Sequence, residues 1–296
     1  MEFACVMLPK TLNLPPYITG VIMTILVGIV IIGGIKSIAR VCEKLVPFMA
    51  IFYVIGCLII LALNANYIVP AIVLIVKSAF TPHAAGGGFI GATVLMATRY
   101  GIARGLFSNE SGLGSAPIAA AAAQTKNPIR QALVSATGTF WDTVVICLMT
   151  GLVLVTTIMK YPNISEGLNG AEVTNAAFSQ IPVIGPIVLT VGLFTFVYST
   201  ILGWSYYGER GVEYLFGKKG IKPYRILFTL GVFVGATASL PLVWDFSDAA
   251  NALMAIPNLV ALLLLSGVIV KETKEYLWEH NLDKDGPLIN DETRAK

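Results

Sequence analysis

Charge is what this chain has least of. Only 12% of its 296 residues are Asp, Glu, Lys or Arg, about half of the roughly 25% that a water-facing globular surface carries. That shortage argues against a soluble enzyme, a disordered chain and a coiled coil. No basic stripe for nucleic acid exists either, because 20 Lys and Arg stand against 17 Asp and Glu for a net charge of +3. Histidine is scarce, and neither His83 nor His280 has a companion at metal-ligand spacing, so both read as loop residues. The four cysteines, Cys5, Cys42, Cys57 and Cys147, lie in or beside apolar runs without Cys-x-x-Cys spacing and read as single buried thiols. Met1-Glu2-Phe3-Ala4 has no basic region of the kind that opens a signal peptide, and the first spanning helix is expected to serve as the signal.

Long apolar runs are what the chain has instead. It is 56% hydrophobic, with a mean hydropathy of +0.77. A spanning helix needs about 20 predominantly apolar residues. Uncharged runs predict spans near 17–35, 45–63, 89–124 (interrupted), 131–159, 183–208, 226–243 and 249–270. Residues 66–80 are too short after Pro70 and are expected to lie along the membrane surface. Alternating sides puts ten Lys and Arg in one set of loops: three in 36–44, two in 125–130 and five in 209–225. The other set holds only Lys10, Lys77 and Lys160. By the positive-inside rule the first set is cytoplasmic, together with the tail from Lys271. The polar tail through Asn281–Pro287 is expected to be mobile.

One stretch breaks the apolar pattern. Residues 105–117 read Gly-Leu-Phe-Ser-Asn-Glu-Ser-Gly-Leu-Gly-Ser-Ala-Pro. Gly112 and Gly114 are poor helix formers and Pro117 has no amide donor. Ser108, Asn109, Glu110, Ser111 and Ser115 are polar at what should be membrane depth. Non-helical backbone there requires burial in protein or a wet cavity. A discontinuous helix holding an ion or a zwitterion fits this pattern, and so does a plain cytoplasmic loop between two shorter helices. The Gly-x-Gly at 112–114 is no dinucleotide fingerprint, since Pro117 occupies the third glycine's place and no strand precedes it. A Gly-x-Ser-x-Gly elbow is lacking as well.

A second polar cluster, from Thr195 to Tyr207, interrupts another apolar span. Its adjacent Ser199 and Thr200 are hard oxygen donors of the kind small cations accept, or hydroxyls bonded back to their own helix. Charges within spans cost about 2.5–3.5 kcal/mol. Asp142, Arg99 and Arg104 therefore call for partners: Arg104 with Glu110, or an Arg with Asp142, as a salt bridge or a proton relay.

The run from Gly105 to Ala119, with Asn127-Pro128-Ile129-Arg130-Gln131 after it, strongly resembles the signature of the alanine or glycine:cation symporter family. Matching pieces flank it: Gly33–Ala39, Leu45–Ala50, Gly138–Thr143, Gly203–Glu209 and Met254–Leu259. The similarity runs to about residue 275. Ser111 departs from the family's usual Ala, and Ala120 stands where a His is common.

The resemblance implies an all-α polytopic membrane protein of the LeuT type, with two inverted five-helix repeats. It implies one transmembrane domain over 1–275, a polar cytoplasmic tail over 276–296, and a multi-pass place in the plasma membrane. The implied activity is not enzymatic. It is sodium-coupled symport of a small neutral amino acid, alanine or glycine, with sodium as coupling ion, no cofactor and no nucleic-acid partner. Ser108, Asn109, Ser111, Gly112, Gly114, Thr200 and Trp204 would meet the substrate, and Ser199 and Thr200 the sodium. On the family pattern only two spans precede the break, so the chain resembles the C-terminal two-thirds of such a carrier. The alternatives are a non-transporting fragment or subunit that needs an N-terminal partner, and a proton-coupled carrier of another small substrate.

Overall fold

A lipid core offers no hydrogen-bond partners, so a chain crossing it closes its backbone bonds within helices. The computed structural model follows that rule. It describes residues 15–80, 101, 105–165, 171–238 and 240–284, and no strand occurs among them. Helix α1 is Pro16–Ile32, α2 Gly34–Leu63 and α3 Ile68–Phe80. Helix α4, Pro128–Thr139, runs on as a π-helical stretch, Phe140–Cys147, into α5, Leu148–Lys160. After α6 (Ala171–Ser179) come α7 (Ile184–Phe216), α8 (Ile221–Thr237), α9 (Leu240–Leu264) and α10 (Ser266–Thr273). Among the described residues four stretches are long and apolar enough to cross a membrane: Gly34–Leu63, Pro128–Lys160, Ile184–Phe216 and Leu242–Leu264. Tyr17–Ile32 and Ala65–Lys77 are shorter apolar helices.

The all-helical, membrane-compatible architecture agrees with the composition, but three boundaries differ from expectation. The basic segment 36–44 is no loop: the helix is interrupted at Gly33, and α2 begins at Gly34 and carries those charges on its first turns. Helix α7 does not stop near 208 but continues to Phe216. Residues 244–248, read as a connection, lie inside α9. The first two share a reason. Charge reports which residues need water or a partner, whereas Lys, Arg and Glu are good helix formers that let a helix run on.

The chain forms two compact units, Met1–Ile102 with Val144–Phe246, and Ala103–Thr143 with Ser247–Lys296. In the first unit α2 packs along α7 and α1 along α8. Small residues stand at these contacts. A Cβ on Gly56 of α2 would collide with Val188 of α7, and one on Gly192 would lie 2.8 Å from the Tyr53 ring. On Gly20 of α1 a Cβ would be 3.1 Å from Ala236, and on Gly28 it would be 3.2 Å from Thr229. Helices in lipid gain little from hydrophobic burial against each other, so close backbone approach over small residues supplies the packing. The core there includes Tyr53, Cys57, Ile60, Val153, Phe178 and Val188, and the Tyr53 hydroxyl is 2.8 Å from Thr150 Oγ1. Cys57 is buried as expected, whereas Cys42 is half-buried and Cys147 exposed on a helix flank; Cys5 lies outside the described residues.

An ionic node explains why α7 runs past 208. Glu209 is only 3% exposed. Arg225 donates to its two oxygens at 2.7 and 3.0 Å, and Arg210 donates at 3.1 Å. Arg225 also donates to the Ile32 carbonyl at 3.0 Å, one of the orphan acceptors at the end of α1. Arg210 pairs further with Glu213.

Gly56→Ala should destabilise the protein by about 1–3 kcal/mol through overpacking on Val188. Gly211→Ala, with no heavy atom within 4 Å of the added Cβ, should be neutral or stabilising through helix propensity. Unfolding in detergent compares the two, and equal effects would contradict the packing.

Candidate functional site

Residues 105–109 are helical, 110–115 leave the helix, and Ala116–Ala120 resume it. The expected discontinuity is therefore present, although Ser108 and Asn109 still belong to the helical side. Alternate residues take positive φ: Glu110 at 55°, Gly112 at 88° and Gly114 at 81°. A side chain in that region costs roughly 1–2 kcal/mol and glycine avoids the cost, so two of the three positions are glycine. Space gives a second reason at Gly114, where a Cβ would lie 3.0 Å from Asn258 Oδ1. Asn258, on α9 beside Pro257, donates to the Gly112 carbonyl at 2.9 Å and so satisfies an acceptor that the break has freed. Within the break Ser111 N donates to Asn109 Oδ1 at 3.0 Å. The fully buried Ser115 donates its hydroxyl proton to Glu110 Oε2 at 2.9 Å.

Three side-chain rungs tie the break to the helix that begins at Pro128. Ser108 Oγ donates to the two Asp142 carboxylate oxygens at 2.9 and 2.8 Å. Asn109 Nδ2 donates to Thr143 Oγ1 at 3.2 Å. The Ser111 and Thr139 hydroxyls are 3.2 Å apart. Thr139, Asp142 and Thr143 stand at i, i+3 and i+4, which places them on one helix face. Asp142 and Thr143 fall in the π-helical stretch, a local form frequent at functional sites. Among the described residues the partners of Asp142 are hydroxyls, Ser108 and Thr143. The expected pairings with Arg99 or Arg104 lie outside the described residues.

The helix from Pro128 is capped by the buried Asn127, whose Oδ1 accepts from Arg130 N at 2.9 Å. The same side chain donates to the Leu282 and Lys284 carbonyls at 2.9 and 3.1 Å. Arg130 pairs with Asp283 at 3.0 Å, and Lys126 donates to the Asp283 carbonyl at 3.1 Å. The tail expected to be mobile is thus held through Lys284, because its backbone carbonyls meet a cluster of donors.

The other predicted residues share α7, in the other unit. Ser199 Oγ and Thr200 Oγ1 both donate to the Phe196 carbonyl, at 3.0 and 2.8 Å. Each hydroxyl donates to its own helix, and Ser199 Oγ also lies 3.5 Å from Met49 Sδ. Trp204 packs edge-on against Tyr207 with ring centroids 5.7 Å apart. The structure therefore brings Ser108, Asn109, Ser111, Gly112 and Gly114 together in one unit, and Ser199, Thr200 and Trp204 along one helix of the other. Thr139, Thr143 and Asn258 were not predicted. The one-face spacing of Thr139, Asp142 and Thr143 was the available signal for two of them.

The break at 110–115 is thus held by side chains from the helix that begins at Pro128 and from α9. The sequence profile of the sodium:alanine symporter family matches residues 4–290, and the chain belongs to that family. It is 55% identical over 262 residues to the sodium/alanine symporter AgcS of Methanococcus maripaludis, covering 88% of this chain and 57% of that protein. It is 35% identical over 274 residues to the probable sodium/glutamine symporter GlnT of Bacillus subtilis, covering 92% and 56%. The amino-acid carrier protein AlsT of the same organism is 34% identical over 261 residues, covering 88% and 54%. The chain spans a little over half the length of these relatives.

A double-mutant cycle of Ser108→Ala and Asp142→Asn tests the strongest rung. A hydrogen bond to a charged group is worth about 1.5–3 kcal/mol, so the unfolding free energies should be non-additive by about that much. Additivity within about 0.5 kcal/mol would mean that the two side chains do not interact.

Proposed function

We propose that the protein carries out sodium-coupled symport of a small neutral amino acid, alanine or glycine, by alternating access in the plasma membrane. Family membership, with AgcS the more similar of the named relatives, is the observation that carries this reading. The relative GlnT is named a probable sodium/glutamine symporter, so a larger substrate is the alternative that uptake assays with glutamine would test. Residues 1–275 are proposed to form part of a LeuT-type bundle, with residues 209–225 and the C-terminus cytoplasmic. The Lys and Arg distribution supports that orientation.

In this reading Ser108, Asn109, Ser111, Gly112 and Gly114 meet the amino acid, using the exposed backbone and side-chain polarity of the break. Thr200 and Trp204 line the substrate's path on α7, and Ser199 and Thr200 give oxygens to sodium. No cofactor takes part. Sodium needs only hard oxygen donors, so neutral hydroxyls and carbonyls suffice without a cluster of acidic ligands. Coupling follows when sodium binds the substrate-competent conformation more tightly than the other, because the affinity gain is reciprocal.

In vesicles reconstituted with the symporter, Ser199→Ala and Thr200→Ala should raise the sodium concentration for half-maximal alanine uptake by roughly tenfold, a loss of the size seen when metal-site partners are removed. Apparent alanine affinity at fixed sodium should fall with it by linkage. Trp204→Ala should act on alanine affinity first. Uptake against sodium concentration measures all three. Wild-type half-saturation in both hydroxyl variants would return the pair to purely helical bonding.

A further inference from the structure

Helix α7 has 33 residues and is about 50 Å long, against a hydrocarbon core of about 30 Å. Ile184 to Gly208 carries no charge and already spans that core. The last eight residues of the helix therefore lie at or beyond the headgroup level, and they begin with the Glu209 node.

Charges around this end are sorted unequally. Arg210 and Arg225 are neutralised by Glu209 and Glu213. Lys218, Lys219 and Lys222 are exposed, and among the described residues no acidic side chain forms an ion pair with them. Directly before them, past the ionic node, Tyr214 is 90% exposed, and Leu215 and Phe216 are 71% exposed each. The turn at Gly217 joins the two groups. Three large apolar side chains beside three unpaired lysines suit neither water nor hydrocarbon. They suit the boundary where acyl chains meet phosphates, with aromatic rings at headgroup level and ammonium groups against anionic lipid.

We propose that the α7–α8 connection is a docking surface for anionic phospholipid, with Lys218, Lys219 and Lys222 binding the headgroup phosphate and Tyr214, Leu215 and Phe216 entering the acyl boundary. This surface would tether the end of α7, and through the Glu209–Arg225 node the end of α1, to the leaflet. The inference rests on placement in a bilayer and not on transport.

Native mass spectrometry of the full chain in detergent, titrated with phosphatidylglycerol or phosphatidylcholine, tests it. The wild type should retain phosphatidylglycerol preferentially. Replacing the three lysines by Gln should lose roughly fivefold in affinity per lysine, while the corresponding Arg variants keep the preference. If the triple Gln variant does not fold, Lys219→Gln alone should lose one such step. Phosphatidylcholine retention, unchanged across the lysine variants, reports bilayer placement separately. The segment 36–44 is the control, because it is equally basic but holds Glu43 and lacks the Tyr-Leu-Phe triplet. The proposal is overturned if the Gln variants bind phosphatidylglycerol as the wild type does. It is also overturned if Lys36→Gln, Arg40→Gln and Lys44→Gln together lose as much, since net charge alone would then explain the binding. Displacement of the lipid by millimolar inorganic phosphate would likewise reject a lipid surface in favour of a free-anion site.

Discussion

A helix that is interrupted releases backbone polar groups, and each of them must find a partner. The interruption at 110–115 finds its partners among residues 105–143 and 247–284. Asn258 takes the Gly112 carbonyl, Ser115 takes Glu110, and Asp142, Thr143 and Thr139 hold Ser108, Asn109 and Ser111. The interruption and the side chains that hold it thus come from one set of bonds.

The other unit solves a different problem. Its helices need attraction where lipid competes equally for apolar surface, and glycines at Gly20, Gly28, Gly56 and Gly192 give it through close approach. Charged side chains bond at the helix ends. Lys160 donates to Asn64 at 3.0 Å, and Arg225 links Glu209 to the last carbonyl of α1. Ser199 and Thr200 sit mid-helix with their protons already spent on Phe196. For hydroxyls proposed to bind a cation that is a suitable state, because the acceptor lone pairs remain available without an added desolvation penalty for the donor.

Much of this was legible in the residues and some was not. The break announces itself, because Gly112, Gly114 and Pro117 are poor helix formers and the hydroxyls around them are out of place in an apolar run. Its partners do not, because Ser108 and Asp142 are 34 positions apart and no periodicity links them. Spans were found by uncharged runs, and that signal misplaces ends wherever a charge is paired: Glu209 looked like the start of a loop, yet two arginines let α7 carry it inside. Lys36, Arg40 and Lys44 misled in the same way, since a basic helix turn and a basic loop have the same composition. The tail read as mobile from polarity alone, which is blind to Asn127 and Arg130 waiting for its carbonyls and for Asp283.

The central claim is that residues 110–115 form a fixed interruption seated on the helix that begins at Pro128. The most direct measurement is a disulfide trap between Ser111→Cys and Thr139→Cys, whose native hydroxyls lie 3.2 Å apart, made with the native cysteines replaced. Mild oxidation in the membrane should give near-complete cross-linking for this pair. The pair Ser111→Cys and Ser135→Cys, one helical turn away, should give little. Equal cross-linking of both pairs, or none of the first, would mean that the break is a mobile loop and that the account of the site built on it is wrong.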